Sequence, residues 1–249
     1  MIQPEVIIIV PCYNEAQRLP RQDFIKFAED YPGYNFLFVN DGSRDTTLEV
    51  LTELIEKRPD RFRLLHLEKN GGKAEAVRRG FLNEIQSGVP FLAFWDADLA
   101  APLEILPQFV KIFDDRPRTE IVLGARVKLL GHHIERALIR HYLGRLFATC
   151  ASWVLDLEVY DTQCGAKMFR VTDTLRQVFE KPFCSRWIFD VEILKRMVRK
   201  TGFSKMQMEA AVYEMPLPRW RDVAGSTLKP MDFIKAFAEL LRIYWENRP

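Results

Sequence analysis

Short apolar runs, each followed by a stretch of helical periodicity, recur through the first half of the chain, and this alternation restricts the fold more than any other feature. Val6–Val10 is rich in β-branched residues and stops at Pro11, as a strand buried on both faces would. Phe24, Phe27 and Ala28 then mark one face of a helix, Asn35–Asn40 a second strand, and Leu48, Leu51, Leu54 and Ile55 a second helix. Arg63–Leu67 reads as a third strand, and Asn70-Gly71-Gly72 opens a helix running through Phe81. Phe91–Trp95 is a fourth strand, Leu103–Phe113 a helix and Ile121–Gly124 a fifth strand. Apolar strands alternating with helices predict a parallel sheet covered on both faces. Ligands of such sheets bind beyond the carboxyl ends of the strands, where this chain places polar clusters after strands one, two and four.

The second half has a different pattern. Residues 131–157 read as a helical stretch dense in Arg and His, Cys164–Arg170 as a strand, and Ile188–Arg199 as a helix. Lys205–Met215 alternates like a half-exposed strand; Pro216, Pro218 and Gly225-Ser226 mark a loop before a last helix, Met231–Trp245. No repeat or low-complexity linker interrupts the 249 residues, so residues 1–249 are expected to form one domain, within the size range of a single α/β core.

Composition sets further bounds. With 48% hydrophobic and 28% charged residues the balance is that of a water-soluble chain, and a net charge of +2 argues against a nucleic-acid partner. Cys12, Cys150, Cys164 and Cys184 have no metal-ligand spacing and read as reduced thiols. The apolar run at Val6–Val10 follows no basic segment, so no signal peptide is expected. The longest uncharged stretch of interest, Leu146–Leu155, falls short of the roughly 20 residues of a bilayer span, so no transmembrane helix is expected.

Three clusters carry chemistry. Asp96-Ala97-Asp98 places two carboxylates at a strand end, where both can face a Mg²⁺ or Mn²⁺ that shares ligand oxygens with a phosphate; taken alone, the pair reads better as solvated turn residues. Asp41, in Asn40-Asp41-Gly42-Ser43, is either an acceptor for a base or ribose or a turn aspartate. In Asn70-Gly71-Gly72-Lys73, the helix N-terminus and Lys73 suit a diphosphate, although a loop and cap explain the glycines as well. Neither a P-loop nor a GxGxxG fingerprint is present, which disfavours a nicotinamide-dependent dehydrogenase.

In order along the chain, Pro11-Cys12-Tyr13-Asn14-Glu15, Asn40-Asp41-Gly42-Ser43, Asn70-Gly71-Gly72-Lys73 and Asp96-Ala97-Asp98 resemble family 2 glycosyltransferases of the GT-A fold. Gly124-Ala125-Arg126, Asp161 to Lys167, Arg186 to Glu192 and Gly225 to Lys229 look like the dolichyl-phosphate β-glucosyltransferase branch. The resemblance implies an α/β GT-A fold, a mixed but mostly parallel Rossmann-like sheet flanked by helices. It divides the chain into a nucleotide-binding half, 1–125, and an acceptor- and membrane-facing half, 126–249. Two departures stand out: no counterpart of the N-terminal anchor of eukaryotic members is expected from these residues, and Asn40 replaces the usual first aspartate of Asp-Asp-Gly-Ser.

The implied reaction is inverting transfer from a UDP-sugar, with UDP-glucose foremost, to a polyprenyl phosphate, aided by Mg²⁺ or Mn²⁺. The implied donor contacts are Pro11, Tyr13, Asn14, Glu15, Asn40, Asp41, Gly72, Lys73 and Asp96. Asp96 and Asp98 hold the metal, with Asp98 the direct ligand. Asp161 and Asp98 are the catalytic candidates; a phosphate acceptor is already anionic and needs little help from a base, so Asp161 is read as orienting acceptor or sugar, with a role as base left open. Arg126, Gln163, Lys167, Arg186 and Trp187 are candidates for acceptor or phosphate contact, with guanidinium suited to bidentate phosphate binding; for both arginines, surface salt bridges are the alternative. Arg136, Arg140 and Arg145, interleaved with Ile134, Leu138, Leu143, Leu146 and Phe147, suggest a basic amphipathic helix on the membrane surface, placing the protein peripherally on the inner, cytoplasmic face. His132, His133 and His141 read as interfacial polar groups. Phe233, Phe237, Tyr244 and Trp245 read as packing residues of the last helix. A polysaccharide or protein acceptor, or a nucleotide-sugar-binding protein without activity, are the rival readings; oligomeric state is left open.

Overall fold

Alternation of side chains along the strands explains the two-sided core of this computed structural model, which describes residues 5–135, 138–221 and 230–246. Strands β1 (Val6–Cys12), β2 (Tyr34–Asp41) and β3 (Phe62–Leu67) pair in parallel, and β4 (Phe91–Trp95) pairs in parallel with the other edge of β1. Every residue from Val6 to Val10 is buried. Ile7 and Ile9 point into one hydrophobic layer and Val6, Ile8 and Val10 into the other, as a period of two requires.

Helices α1 (Arg21–Asp30), α2 (Thr47–Lys57) and α4 (Leu106–Asp115), the last preceded by a 3₁₀ turn at Leu103–Ile105, cover the Val6 face. There Phe24 meets Phe36 and Phe38 edge-on at ring-centroid distances of 5.5 and 5.1 Å. Helix α3 (Lys73–Glu84) covers the opposite face together with α5 (Leu138–Leu155), α6 (Asp173–Glu180), α7 (Phe189–Thr201) and α9 (Pro230–Glu246).

The complete sheet has seven strands in the order β3-β2-β1-β4-β7-β5-β8, with β5 at Ile121–Ala125, β7 at Ala166–Arg170 and β8 at Val212–Pro216. Strand β7 lies antiparallel between β4 and β5, while β5 and β8 are parallel. The sheet is therefore mixed and mostly parallel. The chain leaves β1 toward β2 and β3 and later returns to β1's other side as β4. This reversal opens a crevice at the carboxyl ends of β1 and β4.

Two expected elements differ. Lys205–Met215 is not one strand: α8 (Lys205–Ala211) precedes β8. Ser204 and Gln207 form a reciprocal capping box that satisfies backbone donors at the helix start, and this outweighs the alternating pattern. Within 131–157, His133–Glu135 forms strand β6, paired with β9 (Arg219–Arg221) in a separate two-stranded sheet, and helix begins only at Leu138. Helix α6 has its own signal, the Thr172 side chain accepting from Leu175 N.

Arg136 and the Gly225–Lys229 motif lie outside the described residues, as do the side chains of Leu138, Arg140, His141 and Phe233. Arg145 does not project into solvent with a basic face. Its guanidinium stacks 3.8 Å from the centre of the Tyr160 ring and donates to the Tyr160 carbonyl at 3.3 Å. All four cysteines are free thiols. Among the described residues, no helix is long and apolar enough to cross a membrane.

Candidate active site

The crevice at β1 and β4 is built by loops that bond to one another. Past β1, Asn14 adopts φ 54°, its N–H donating to Ser43 Oγ at 3.1 Å and its Oδ1 accepting from Arg44 N at 2.9 Å. Glu15 N donates to Thr47 Oγ1 at 2.8 Å. Asn40 is fully buried; its Oδ1 accepts from Ser43 Oγ at 2.6 Å and its Nδ2 pairs with His66 Nδ1 at 3.0 Å. An amide offers both a donor and an acceptor for these partners, so Asn40 fastens the loop from beneath rather than lining the crevice.

Asp41, also buried, accepts from Gly71 N at 2.7 Å and Gly72 N at 2.8 Å, joining the end of β2 to the start of α3. Burial pushes its carboxyl above the ordinary value, against the two N–H groups that lower it. Gly72 has φ 90°, which a side chain rarely tolerates. Arg186 holds the same loop by donating from Nε to Gly71 O at 3.1 Å and from Nη2 to Asn70 Oδ1 at 3.0 Å.

From this loop Lys73 reaches across to Asp96, with Nζ 2.5 Å from Oδ1. Asp96 N donates to Gly165 O at 2.9 Å, and any Cβ at Gly165 would overlap the Asp96 carboxylate. Pro11, Tyr13, Glu15, Asp41, Gly72, Lys73, Asp96 and Asp98 thus line a single cavity of about 340 Å³. A larger groove, about 610 Å³, lies between α1, residues 99–104 and the β6–β9 ribbon and contains neither Asp96 nor Asp98.

Negative charge is in excess here. Asp98 is raised by burial and then by the neighbouring Asp96, despite accepting from Ala100 N at 3.1 Å. Glu15 is raised by burial and further by Asp98 and Asp96, although it pairs with Arg18 at 2.6 Å; its Oε2 is buried with no hydrogen bond. Among the described residues, no group of three or more His, Cys, Asp or Glu side chains forms a metal cage. Two carboxylates with excess negative charge instead fit a hard divalent cation whose other ligands are phosphate oxygens and water.

Asp161 lies 7% exposed at the neighbouring strand ends, with both oxygens on Arg126. The Arg126 and Gln163 N–H groups each donate to it at 3.1 Å. The Arg126 guanidinium lies 5.2 Å from the centre of the Trp220 ring. Burial opposes its charge, but Asp161 prevails and the guanidinium is held ionised more firmly than usual. Gln163 is half-buried and Trp187 is partly exposed beside Arg186. Lys167 is not at the surface: it is 2% exposed, donates to Cys164 O and pairs with Asp190 at 2.7 Å.

Sequence reasoning did not single out Glu214 and gave Asp190 no role. Glu214 receives the backbone N–H groups of Tyr160 and Asp161 at 2.7 and 2.8 Å and so holds the loop that carries Asp161 ahead of β7. Its sequence signal is a lone carboxylate among the apolar residues of β8.

Residues 7–174 match the family described as glycosyl transferase family 2. The dolichyl-phosphate beta-glucosyltransferase of Dictyostelium discoideum is 31% identical over 95% of this chain and 72% of its own length. That of Saccharomyces cerevisiae is 30% identical over 97% of this chain and 77% of its own. Among solved structures, glucosyl-3-phosphoglycerate synthase from Mycobacterium tuberculosis, in complex with Mn²⁺, UDP and glucosyl-3-phosphoglycerate, superposes with a TM-score of 0.65 at 13% identity, covering 98% of this chain and 80% of that one. This likeness shows the GT-A fold. With crevice, acidic triplet and family match in agreement, the chain belongs to glycosyl transferase family 2.

Proposed function

We propose that the protein transfers glucose from UDP-glucose to a polyprenyl phosphate, with inversion at the anomeric carbon, at the cytoplasmic face of a membrane. The observation that carries this reading is the convergence of Asp41, Lys73, Asp96 and Asp98 on one cavity at the carboxyl ends of β1 and β4. The relatives are named for a dolichyl-phosphate acceptor and a glucosyl group, which supports this acceptor class and sugar, and a neighbour of the same fold was solved with UDP and Mn²⁺.

In this reading Pro11, Tyr13, Glu15 and Asp41 receive the nucleoside, while Lys73, at the start of α3, faces the diphosphate. Asp96 and Asp98 would hold Mg²⁺ or Mn²⁺. When bound, such a metal neutralises the charge that builds on the departing diphosphate. The acceptor phosphate attacks as an anion, so no side chain must remove a proton. The bidentate bond of Asp161 to Arg126 agrees with an orienting role: an aspartate engaged on both oxygens keeps a nearby guanidinium in place for a phosphate. Arg186 and Trp187 border the acceptor side. Lys167, buried on Asp190, supports the site from below.

For the membrane surface, Leu146 and Trp153 on α5 are 54% and 85% exposed, and Leu130 in the preceding loop is wholly exposed. Such apolar groups on a helix at the surface favour interfacial docking. A donor screen with UDP-glucose, UDP-GlcNAc, UDP-galactose and GDP-mannose, with Mn²⁺ and a short polyprenyl phosphate, tests the whole reading by product mass. The expected product is polyprenyl phosphoglucose from UDP-glucose. Absence of any lipid-linked product, with transfer to a polysaccharide or protein instead, would overturn the acceptor assignment.

A further inference from the structure

The Asp161 side chain is aimed by the peptide that precedes it, and that peptide is held at both of its polar atoms. Asp161 N donates to Glu214 Oε1 on β8 at 2.8 Å. Across the same peptide bond, Tyr160 O accepts from Arg145 Nη1 on α5 at 3.3 Å. The N–H of Tyr160 goes to the other Glu214 oxygen at 2.7 Å. A planar peptide fixed at C=O and at N–H cannot turn without breaking one of these bonds. The direction in which Asp161 leaves the backbone is therefore set by α5 and β8 together.

Arg145 holds Tyr160 a second time, with its guanidinium 3.8 Å from the centre of the ring, where the ring face attracts a cation. Two helical turns on, Ser152 grips the same segment: its Oγ accepts from Val159 N and donates to Val159 O, both at 3.2 Å, and its carbonyl accepts from Leu157 N at 3.2 Å. Residues seven apart share a helix face, so one face of α5 holds residues 157–160. Leu146 and Trp153, each next to one of these two residues, stay exposed. Asp161 in turn holds Arg126 on both oxygens, so a displacement at Tyr160 passes to that guanidinium. The donor cavity is lined by residues 11–15, 41, 70–76 and 96–98 and takes no side chain from α5.

We propose that Arg145 is a positioning residue for the acceptor. Through the Tyr160–Asp161 peptide it sets the aim of Asp161, and through Asp161 that of the Arg126 guanidinium. This rests on the reading of Asp161 and Arg126 as the acceptor end of the site. Its consequence is selectivity: loosening Arg145 should weaken the use of the acceptor and leave the nucleotide where it is.

Initial rates with UDP-glucose, Mn²⁺ and a short polyprenyl phosphate, with calorimetry of UDP binding, test this. Arg145→Met keeps the side-chain length and loses the charge and the donors. Its acceptor KM should rise about tenfold or more, with kcat changing less and UDP affinity within about twofold of the unmodified protein, because a misplacement of about 1 Å can cost as much as 10²-fold. Arg145→Lys keeps a cation over the ring without the planar fork and should recover part of the loss. Tyr160→Phe keeps the ring and should match the unmodified protein. Tyr160→Leu should raise the acceptor KM, yet add little in an Arg145→Met background, since both changes remove one contact. Hydrogen exchange of the 157–163 segment, read by mass spectrometry without any acceptor, should quicken in Arg145→Met. Unchanged exchange there, an unchanged acceptor KM in folded Arg145→Met, or a loss of UDP affinity as large as the rise in acceptor KM overturns the positioning role alone. Should Arg145→Met fail to fold, equal acceptor KM values for Tyr160→Phe and Tyr160→Leu overturn it. No transfer to polyprenyl phosphate by the unmodified protein overturns the acceptor reading and the role of Arg145 with it.

Discussion

Arg126 and Asp161, 35 residues apart, form a bidentate pair, with Nε 2.6 Å from Oδ2 and Nη2 2.7 Å from Oδ1. Both side chains are largely buried, 12% and 8% exposed. Removing one partner of such a pair strands the other charge, at a cost of about 3–5 kcal/mol. Asp161→Asn should lower unfolding stability on that scale in urea titrations. Arg126→Lys keeps the charge but loses the planar fork, so activity should fall through a higher KM for the acceptor. An unchanged acceptor KM in a folded Arg126→Lys protein would remove Arg126 from acceptor binding.

Asp98→Ala should abolish transfer while the protein stays folded, since removing an electrostatic stabiliser of a transition state costs roughly 10²–10³ in kcat. Circular dichroism and UDP-glucose turnover measured on one preparation check this. Retained turnover by folded Asp98→Ala would defeat the metal assignment.

Gly165→Ala probes the close approach of the residue preceding β7 to Asp96. The new methyl would overlap the Asp96 carboxylate, so either the carboxylate or the loop must shift. UDP affinity in the presence of Mn²⁺ should drop at least about tenfold, because catalytic and binding groups tolerate displacements well below 1 Å. Calorimetry of UDP binding reads the effect, with thermal unfolding as the control for fold.

Glu214 gives a pH dependence with a definite sign. Burial raises its carboxyl above the ordinary value, and the two backbone N–H groups only partly oppose this. The folded protein therefore holds this proton more tightly than the unfolded chain. The resulting stabilisation is full below the ordinary glutamate pKa of 4.5 and is lost as pH rises through the folded value. Urea unfolding from pH 4 to pH 8 should show stability falling less steeply with rising pH in Glu214→Gln than in the unmodified protein. Equal slopes would contradict the raised value.

Much of the nucleotide half was readable from local pattern. β1, β2 and β4 announced themselves by apolar runs that end in Pro11, Asp41 and Asp96, and the chemistry-bearing residues follow those ends directly. Asn40 was the exception. Its place in the motif suggested a ligand contact, but its amide is used between Ser43 and His66, a choice that depends on His66 sitting beside it on β3. The segment Lys205–Met215 was misread because an alternating apolar pattern carries no record of a capping box until Ser204 and Gln207 are seen to bond each other.

Sequence alone determined the strand–helix alternation, the acidic triplet at a strand end and the family, since strand period, turn composition and motif spacing act over a few residues. Tertiary structure decided which distant charges meet. Asp161 bonds Arg126 and rests on Glu214, Lys167 faces Asp190, and Lys73 reaches Asp96. The pairings of Asp161 and Lys167 follow from inserting β7 antiparallel between β4 and β5 and setting β8 beside β5, and that of Lys73 from packing α3 beside the end of β4. No local signal encodes that order, because burial of whole sheet faces selects it.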